Sequence, residues 1–124
     1  MSINQIKLPA AWAILISMSI ALLIEASFPS TVPQNDIPHL DKLLHFIAYG
    51  TLAWLTAYTL TNNKLARGNA IYLISLTYIL ILGISTEAIQ SITPGRDAGI
   101  ADIMANLLGA VFFLFLFKQI YLKA

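Results

Sequence analysis

The sequence has no cysteine and few charged residues. Its 124 residues include seven Lys and Arg and six Asp and Glu, so 10% are charged, whereas soluble domains carry about 25%. The absence of cysteine excludes thiol chemistry, disulfide-stapled folds and Cys-ligated metals. So little charge also fits poorly with a cytosolic enzyme, a disordered chain or a nucleic-acid-binding domain.

Hydrophobic residues make up 58% of the chain, and the mean hydropathy is +0.77. A bilayer core about 30 Å thick needs roughly 20 helical residues to cross it. We therefore predict an all-α integral membrane bundle of four transmembrane helices, forming one domain over residues 1–124. The spans are expected at about residues 8–26, 43–60, 70–90 and 100–117.

The first apolar stretch has two interpretations, an uncleaved span or a cleaved signal peptide. Lys7 precedes it, but the apolar run is longer than the 7–15 residues usual in a signal peptide. No small-x-small cleavage pattern follows, and Glu25 stands where one would lie. We favour the uncleaved span.

Lys and Arg are unevenly distributed between the loops. Because they favour cytoplasmic loops, the pattern predicts that both termini are cytoplasmic. The cytoplasmic side then has five cations, and the outer side has two cations and six acids, which gives +5 and −4. The cytoplasmic cations are Lys7, Lys64, Arg67, Lys118 and Lys123; the outer groups are Lys42, Arg96, Glu25, Asp36, Asp41, Glu87, Asp97, Asp102, His39 and His45.

Three spans carry a polar stripe at their outer ends. Residues three, four or seven apart share one helix face. The stripes are Asp41, His45 and Tyr49 in the second span, Gly83, Glu87 and Gln90 in the third, and Asp102, Asn106 and Gly109 in the fourth. Since ionisable groups at membrane depth face a bundle interior or a wet cavity, we expect the stripes to meet in an outward-facing site.

These polar residues also have structural interpretations, which the sequence leaves open. Asp41 and Asp102 suit N-cap or first-turn positions of their helices. His45 suits a packed, hydrogen-bonded histidine, and Gln90 and Asn106 suit hydrogen bonds that hold membrane helices together.

Arg96 follows a Pro94-Gly95 turn and is unusual on the less basic side of the protein. It is either half of an exposed ion pair with Asp97 or Asp102, worth little energetically, or a planar clamp for a phosphate or carboxylate. Spacing alone favours neither.

Other familiar chemistry lacks its sequence pattern. The chain has no HExxH spacing around His39 or His45, no GxSxG serine and no glycine-rich phosphate loop. We therefore expect neither a metal nor a cofactor.

Four short patterns in series resemble the VanZ-like family of small bacterial membrane proteins, over residues 41–109. They are Asp41-Lys42-x-x-His45-x-x-x-Tyr49, Glu87-x-x-Gln90, Pro94-x-Arg96 and Asp102-x-x-x-Asn106-x-x-Gly109. The sequence departs at Gly99, where the family often has a small hydroxyl residue. The resemblance implies a multi-pass protein of the bacterial plasma membrane, in a family named for resistance to the glycopeptide teicoplanin.

Our leading hypothesis is an outward-facing site that binds or processes an anionic cell-envelope molecule, such as a lipid-linked phosphate or a glycan. The expected roles are anion binding for Arg96 and Lys42, acid/base chemistry for His45 and Glu87, orientation by Asp41 and Asp102, and hydrogen bonding by Tyr49, Gln90 and Asn106. The alternative is a non-enzymatic structural or accessory subunit whose polar residues only lock the helices together. Membrane lipids are the other expected partners, with no role for nucleic acid, and the oligomeric state is left open.

Overall fold

The chain folds into four long helices. The computed structural model describes residues 8–29, 40–96 and 98–122, apart from the side chain of Leu8. The helices are α1 Leu8–Ala26, α2 Leu40–Asn62, α3 Asn69–Ser91 and α4 Ile100–Phe117, and a π-helical turn, Lys118–Leu122, extends α4. Within these ranges there is no strand, which confirms the predicted all-helical class.

All four helices are long and apolar enough to cross a membrane. Helices α1 and α4 have the predicted bounds, whereas α2 and α3 run one to three residues further at each end. The extension of α2 comprises polar residues such as Asp41, Lys42 and Asn62, which lie beyond the apolar run but remain helical. The chain is therefore a multi-pass membrane protein.

Helices α2 and α4 run parallel and pack along a row of residues spaced four apart. We call this contact the α2–α4 seam. It joins Phe46, Gly50, Trp54 and Tyr58 to Gly109, Phe113, Phe117 and Tyr121. The two glycines allow close approach, as small residues do in membrane bundles: a Cβ on Gly109 would overlap the backbone of Phe46, and one on Gly50 would meet the ring of Phe113.

Helix α1 packs against α2 and α3 and runs parallel to α3. Ser19 is hydrogen-bonded to Tyr78 near the middle of the pair. The hydroxyl of Thr93, just after α3, donates to the Ala26 carbonyl at the end of α1, 3.1 Å away. The ends of α1 and α3 therefore lie beside the beginnings of α2 and α4, and we call this side of the bundle the polar end.

Candidate functional site

Three helices each bring polar side chains to the polar end. His45 and Tyr49 come from α2, Glu87 and Gln90 from α3, and Asp102 and Asn106 from α4. Tyr49, Glu87, Gln90, Asp102 and Asn106 are all buried, and His45 is half-buried. The structure thus brings together the three stripes that the sequence analysis placed on separate spans.

The ionisable groups at the centre lie close enough together to contact one bound molecule or ion. One nitrogen of His45 and one carboxylate oxygen each from Glu87 and Asp102 lie within 4.8 Å of one another. Together with Asn106 we call these residues the polar cluster. A histidine between two carboxylates can exchange protons with them or hold a cation.

Hydrogen bonds fix two members of the polar cluster. His45 Nδ1 lies 2.9 Å from Asn106 Oδ1, so in the tautomer protonated at Nδ1 the imidazole donates to the amide oxygen and Nε2 keeps its lone pair. The Gly99 backbone N–H donates to Glu87 Oε2 over 2.8 Å. Gly99 precedes α4, so the Glu87 carboxylate lies at the positive end of that helix dipole.

The cluster also has hydrogen-bonding capacity that the described residues leave unfilled. Glu87 Oε1 and Asn106 Nδ2 are both buried without a hydrogen-bond partner among them. Glu87 is only 6% exposed and Asn106 only 1%. Because burying an unpaired polar atom costs about 1–3 kcal/mol, these atoms indicate a site built for something more than packing.

Tyr49 lies beside the polar cluster, on the side toward the core of the bundle. Its ring stacks parallel to that of His45, with centroids 6.0 Å apart. Its hydroxyl is 2.6 Å from Thr86 Oγ1, so this pair joins α2 to α3. Gln90 is buried one turn beyond Glu87 on α3, which places it on the predicted face.

Arg96 pairs with a partner that the sequence analysis did not select. Its Nη2 lies 2.5 Å from Glu25 Oε1 and donates to the Glu25 carbonyl oxygen at 2.9 Å. Within the described residues its ion pair is with Glu25 and not with Asp102. The Arg96 side chain is 9% exposed, and its Nε has no partner in the described part of the chain.

Asp41 and Lys42 lie in the first turn of α2, one turn before His45. They form an ion pair with each other, with Lys42 Nζ and Asp41 Oδ2 3.6 Å apart, and both side chains are more than a third exposed. Asp41 does occupy the first turn of α2, as Asp102 does in α4. Five charged or titratable residues named in the sequence analysis lie outside the described residues: Asp36, His39, Asp97, Lys7 and Lys123.

Sequence reasoning missed three contributors to this end of the bundle. Glu25 was noted only as an outer acid, although an acid at the end of one span and an arginine beyond another are natural partners. Thr86 gave no signal, because hydroxyls are ordinary in membrane helices. The Gly99 N–H contributes through its backbone, which no residue pattern shows.

Comparison with known proteins identifies the family of this chain. The model of the VanZ/LLP1 family matches residues 6–122, nearly the whole chain. The chain therefore belongs to the VanZ/LLP1 family, and the match extends beyond residues 41–109 to include α1. Comparisons with curated proteins and with solved structures found no significant match.

Proposed function

We propose that the polar cluster binds or processes an anionic cell-envelope molecule such as a lipid-linked phosphate or a glycan. The observation that carries this proposal is the convergence of His45, Glu87 and Asp102 inside an apolar helix bundle, beside buried polar atoms that lack partners. Ionisable groups at membrane depth are costly and mark functional sites.

The geometry supports the proposed roles. His45 and Glu87 are the acid/base pair where a reaction occurs, because a nitrogen of one and a carboxylate oxygen of the other lie within 4.8 Å. Arg96, whose Nε has no partner among the described residues, and Lys42 are cations at this end of the bundle and attract the anion. The charge asymmetry of the loops supports an extracytoplasmic position for the polar end in a bacterial plasma membrane.

A role in glycopeptide resistance, teicoplanin above all, is part of the same proposal. Its support is membership of the VanZ/LLP1 family. A site that alters an envelope precursor near the membrane surface would change the target available to such an antibiotic. The physiological substrate is then the envelope molecule, and resistance is a consequence.

The alternative, a structural or accessory subunit, is favoured by a different observation. The hydrogen bonds from His45 to Asn106, from Tyr49 to Thr86 and from the Gly99 N–H to Glu87 each join two elements of the bundle. If the cluster only locks the helices together, mutating it would lower the stability of the protein and would not remove a bound ligand.

The experiment compares His45→Ala, Glu87→Gln and Arg96→Ala with wild type in a bacterial host. It measures protein abundance, teicoplanin sensitivity, and the lipids that co-purify with the protein by native mass spectrometry. Thr77→Ala is the control, because Thr77 is exposed on α3 and bonds only to the Leu73 carbonyl.

We expect normal abundance with loss of the co-purifying lipid and of the phenotype in the three variants, and no change in the control. Wild-type phenotype and lipid in all three would overturn the proposal. A fall in abundance that accounts for the loss of phenotype would establish the structural alternative in its place.

A further inference from the structure

The polar cluster has a charge problem if it is to hold an anion. Glu87 and Asp102 bring two carboxylates close together in a buried site. The Arg96 guanidinium at the same end is already paired with Glu25. Two unneutralised carboxylates would repel a phosphate, so a bound anion requires a positive charge between it and these acids.

The three ligand atoms lie close to the spacing that a single cation needs. Metal bonds of about 2.0–2.2 Å to nitrogen and oxygen place any two ligand atoms at most about 4.4 Å apart. The atoms of His45, Glu87 and Asp102 lie within 4.8 Å of one another. In a tetrahedral site the ligand atoms are about 3.3–3.6 Å apart, so side-chain rotations that move these atoms by about an ångström bring all three onto one ion.

Two further features favour these side chains as metal ligands. Glu87 Oε1 is unpartnered in a side chain more than nine-tenths buried, so an oxygen is available while Oε2 is held by the Gly99 N–H. The Asn106 amide oxygen is positioned to accept from His45 Nδ1. Such a hydrogen bond to the second ring nitrogen is what orients metal-binding histidines.

We propose that His45, Glu87 and Asp102 bind one divalent transition-metal cation. This inference rests on the proposed function and deepens its anion binding, because the cation would neutralise both carboxylates and leave coordination positions for a phosphate or carboxylate oxygen of the envelope molecule. A metal-bound water would then supply the acid/base chemistry, since His45 and Glu87 would be occupied as ligands. An imidazole with two carboxylates favours ions such as Zn²⁺ or Mn²⁺ over Mg²⁺, which prefers oxygen ligands and retained water.

The test titrates the full chain in detergent micelles, after treatment with a chelator, with Zn²⁺, Mn²⁺ or Mg²⁺ by calorimetry. We expect one Zn²⁺ or Mn²⁺ per chain and weaker binding of Mg²⁺. His45→Ala and Asp102→Asn should weaken binding at least a hundredfold. Asn106→Ala should weaken it about ten- to hundredfold through the loss of histidine orientation.

Thr77→Ala is the control, because Thr77 is exposed on α3, outside the site, and bonds to the Leu73 carbonyl. It should change the affinity by less than twofold. The metal proposal is overturned if wild type binds no metal, or if Thr77→Ala weakens binding as much as Asp102→Asn.

A second measurement separates this proposal from the function on which it rests. The lipids that co-purify with the protein are compared with and without chelator. Loss of lipid on chelation, restored by Zn²⁺ or Mn²⁺, supports the metal as the bridge to the anion. Lipid retained in chelator overturns the metal proposal and leaves the proposed function intact, whereas one bound metal without any retained lipid keeps the metal site and contradicts the function.

Discussion

The α2–α4 seam and the polar cluster lie on the same helices but are built on different principles. Along the seam, glycines face bulky neighbours and aromatic rings pack edge to face, as in Trp54 on Phe117 with centroids 5.2 Å apart. In the cluster the contacts are hydrogen bonds, and Glu87 Oε1 and Asn106 Nδ2 have none within the described residues.

This difference separates stability from function. Close apolar packing is sensitive to volume, so changes in the seam should cost much stability. Single hydrogen bonds between membrane helices contribute about 0.6 kcal/mol on average, so changes in the cluster should cost little stability while removing the chemistry.

Phe117→Ala is expected to have the largest effect on stability. The Phe117 side chain is 0% exposed and contacts both Trp54 and Tyr121. Its truncation leaves a cavity, and we expect the free energy of unfolding to fall by about 3 kcal/mol, measured by chemical denaturation in micelles. Phe115→Ala, two residues earlier and 56% exposed, is the control and should cost less than about 0.5 kcal/mol.

Gly109→Ala tests the seam from the opposite direction, by adding volume. The new Cβ would lie 2.8 Å from the Phe46 carbonyl carbon, and a backbone cannot move aside as a side chain can. We expect a loss of about 2 kcal/mol, because overpacking costs about 1–3 kcal/mol.

Gly99→Ala is its matched control, assayed in the same denaturation. Gly99 has an extended backbone, a Cβ there has no neighbour closer than 4.0 Å, and its N–H to Glu87 is kept. Equal losses in the two variants would contradict close packing as the cause at Gly109, since alanine has the higher helix propensity and would by itself stabilise α4.

Tyr49→Phe moves the test to the polar cluster. The substitution removes the hydroxyl that pairs with Thr86 but keeps the ring on His45. Thr86 retains its bond to the Gly83 carbonyl, 3.0 Å away, so no group is stranded. We expect a loss of about 0.6 kcal/mol, measured in a double-mutant cycle with Thr86→Ala; a coupling above 2 kcal/mol would contradict the separation of stability from function.

The sequence predicts the helices well because their signals are local. Apolar length alone sets the bounds of α1 and α4, and helical spacing places His45, Glu87 and Asn106 on inward faces. The predicted spans of α2 and α3 are one to three residues too short at each end. Their ends are polar, and a hydropathy window cannot tell a polar helical turn from a loop.

What the sequence does not predict is the pairing across helices. Arg96 has several acids within reach of its loop, and only the packing of α1 beside α3 selects Glu25. The metal-like grouping of His45, Glu87 and Asp102 was likewise hidden, because its members come from three helices and follow no ligand spacing.

Glu25→Gln is the smallest expected effect and tests whether the rim of the polar end behaves like the cluster. The Glu25 side chain is 54% exposed and the Arg96 side chain 9%, so solvent screens the pair from the Glu25 side, and we place it with exposed pairs, which contribute about 0–1 kcal/mol. Arg96 keeps its bond to the Glu25 backbone carbonyl, so the arginine stays in place. We expect a loss of about 0.5 kcal/mol at low salt, measured by the same denaturation.

Salt is the internal control for this last prediction. At 1 M NaCl the Debye length falls to about 3 Å, and the difference between Glu25→Gln and wild type should vanish if it arises from the exposed ion pair. A salt-independent loss above 2 kcal/mol would mean that Glu25 and Arg96 act as packed core. The polar end would then contribute to stability as the seam does, and the contrast between the two regions would hold only for the residues of the polar cluster.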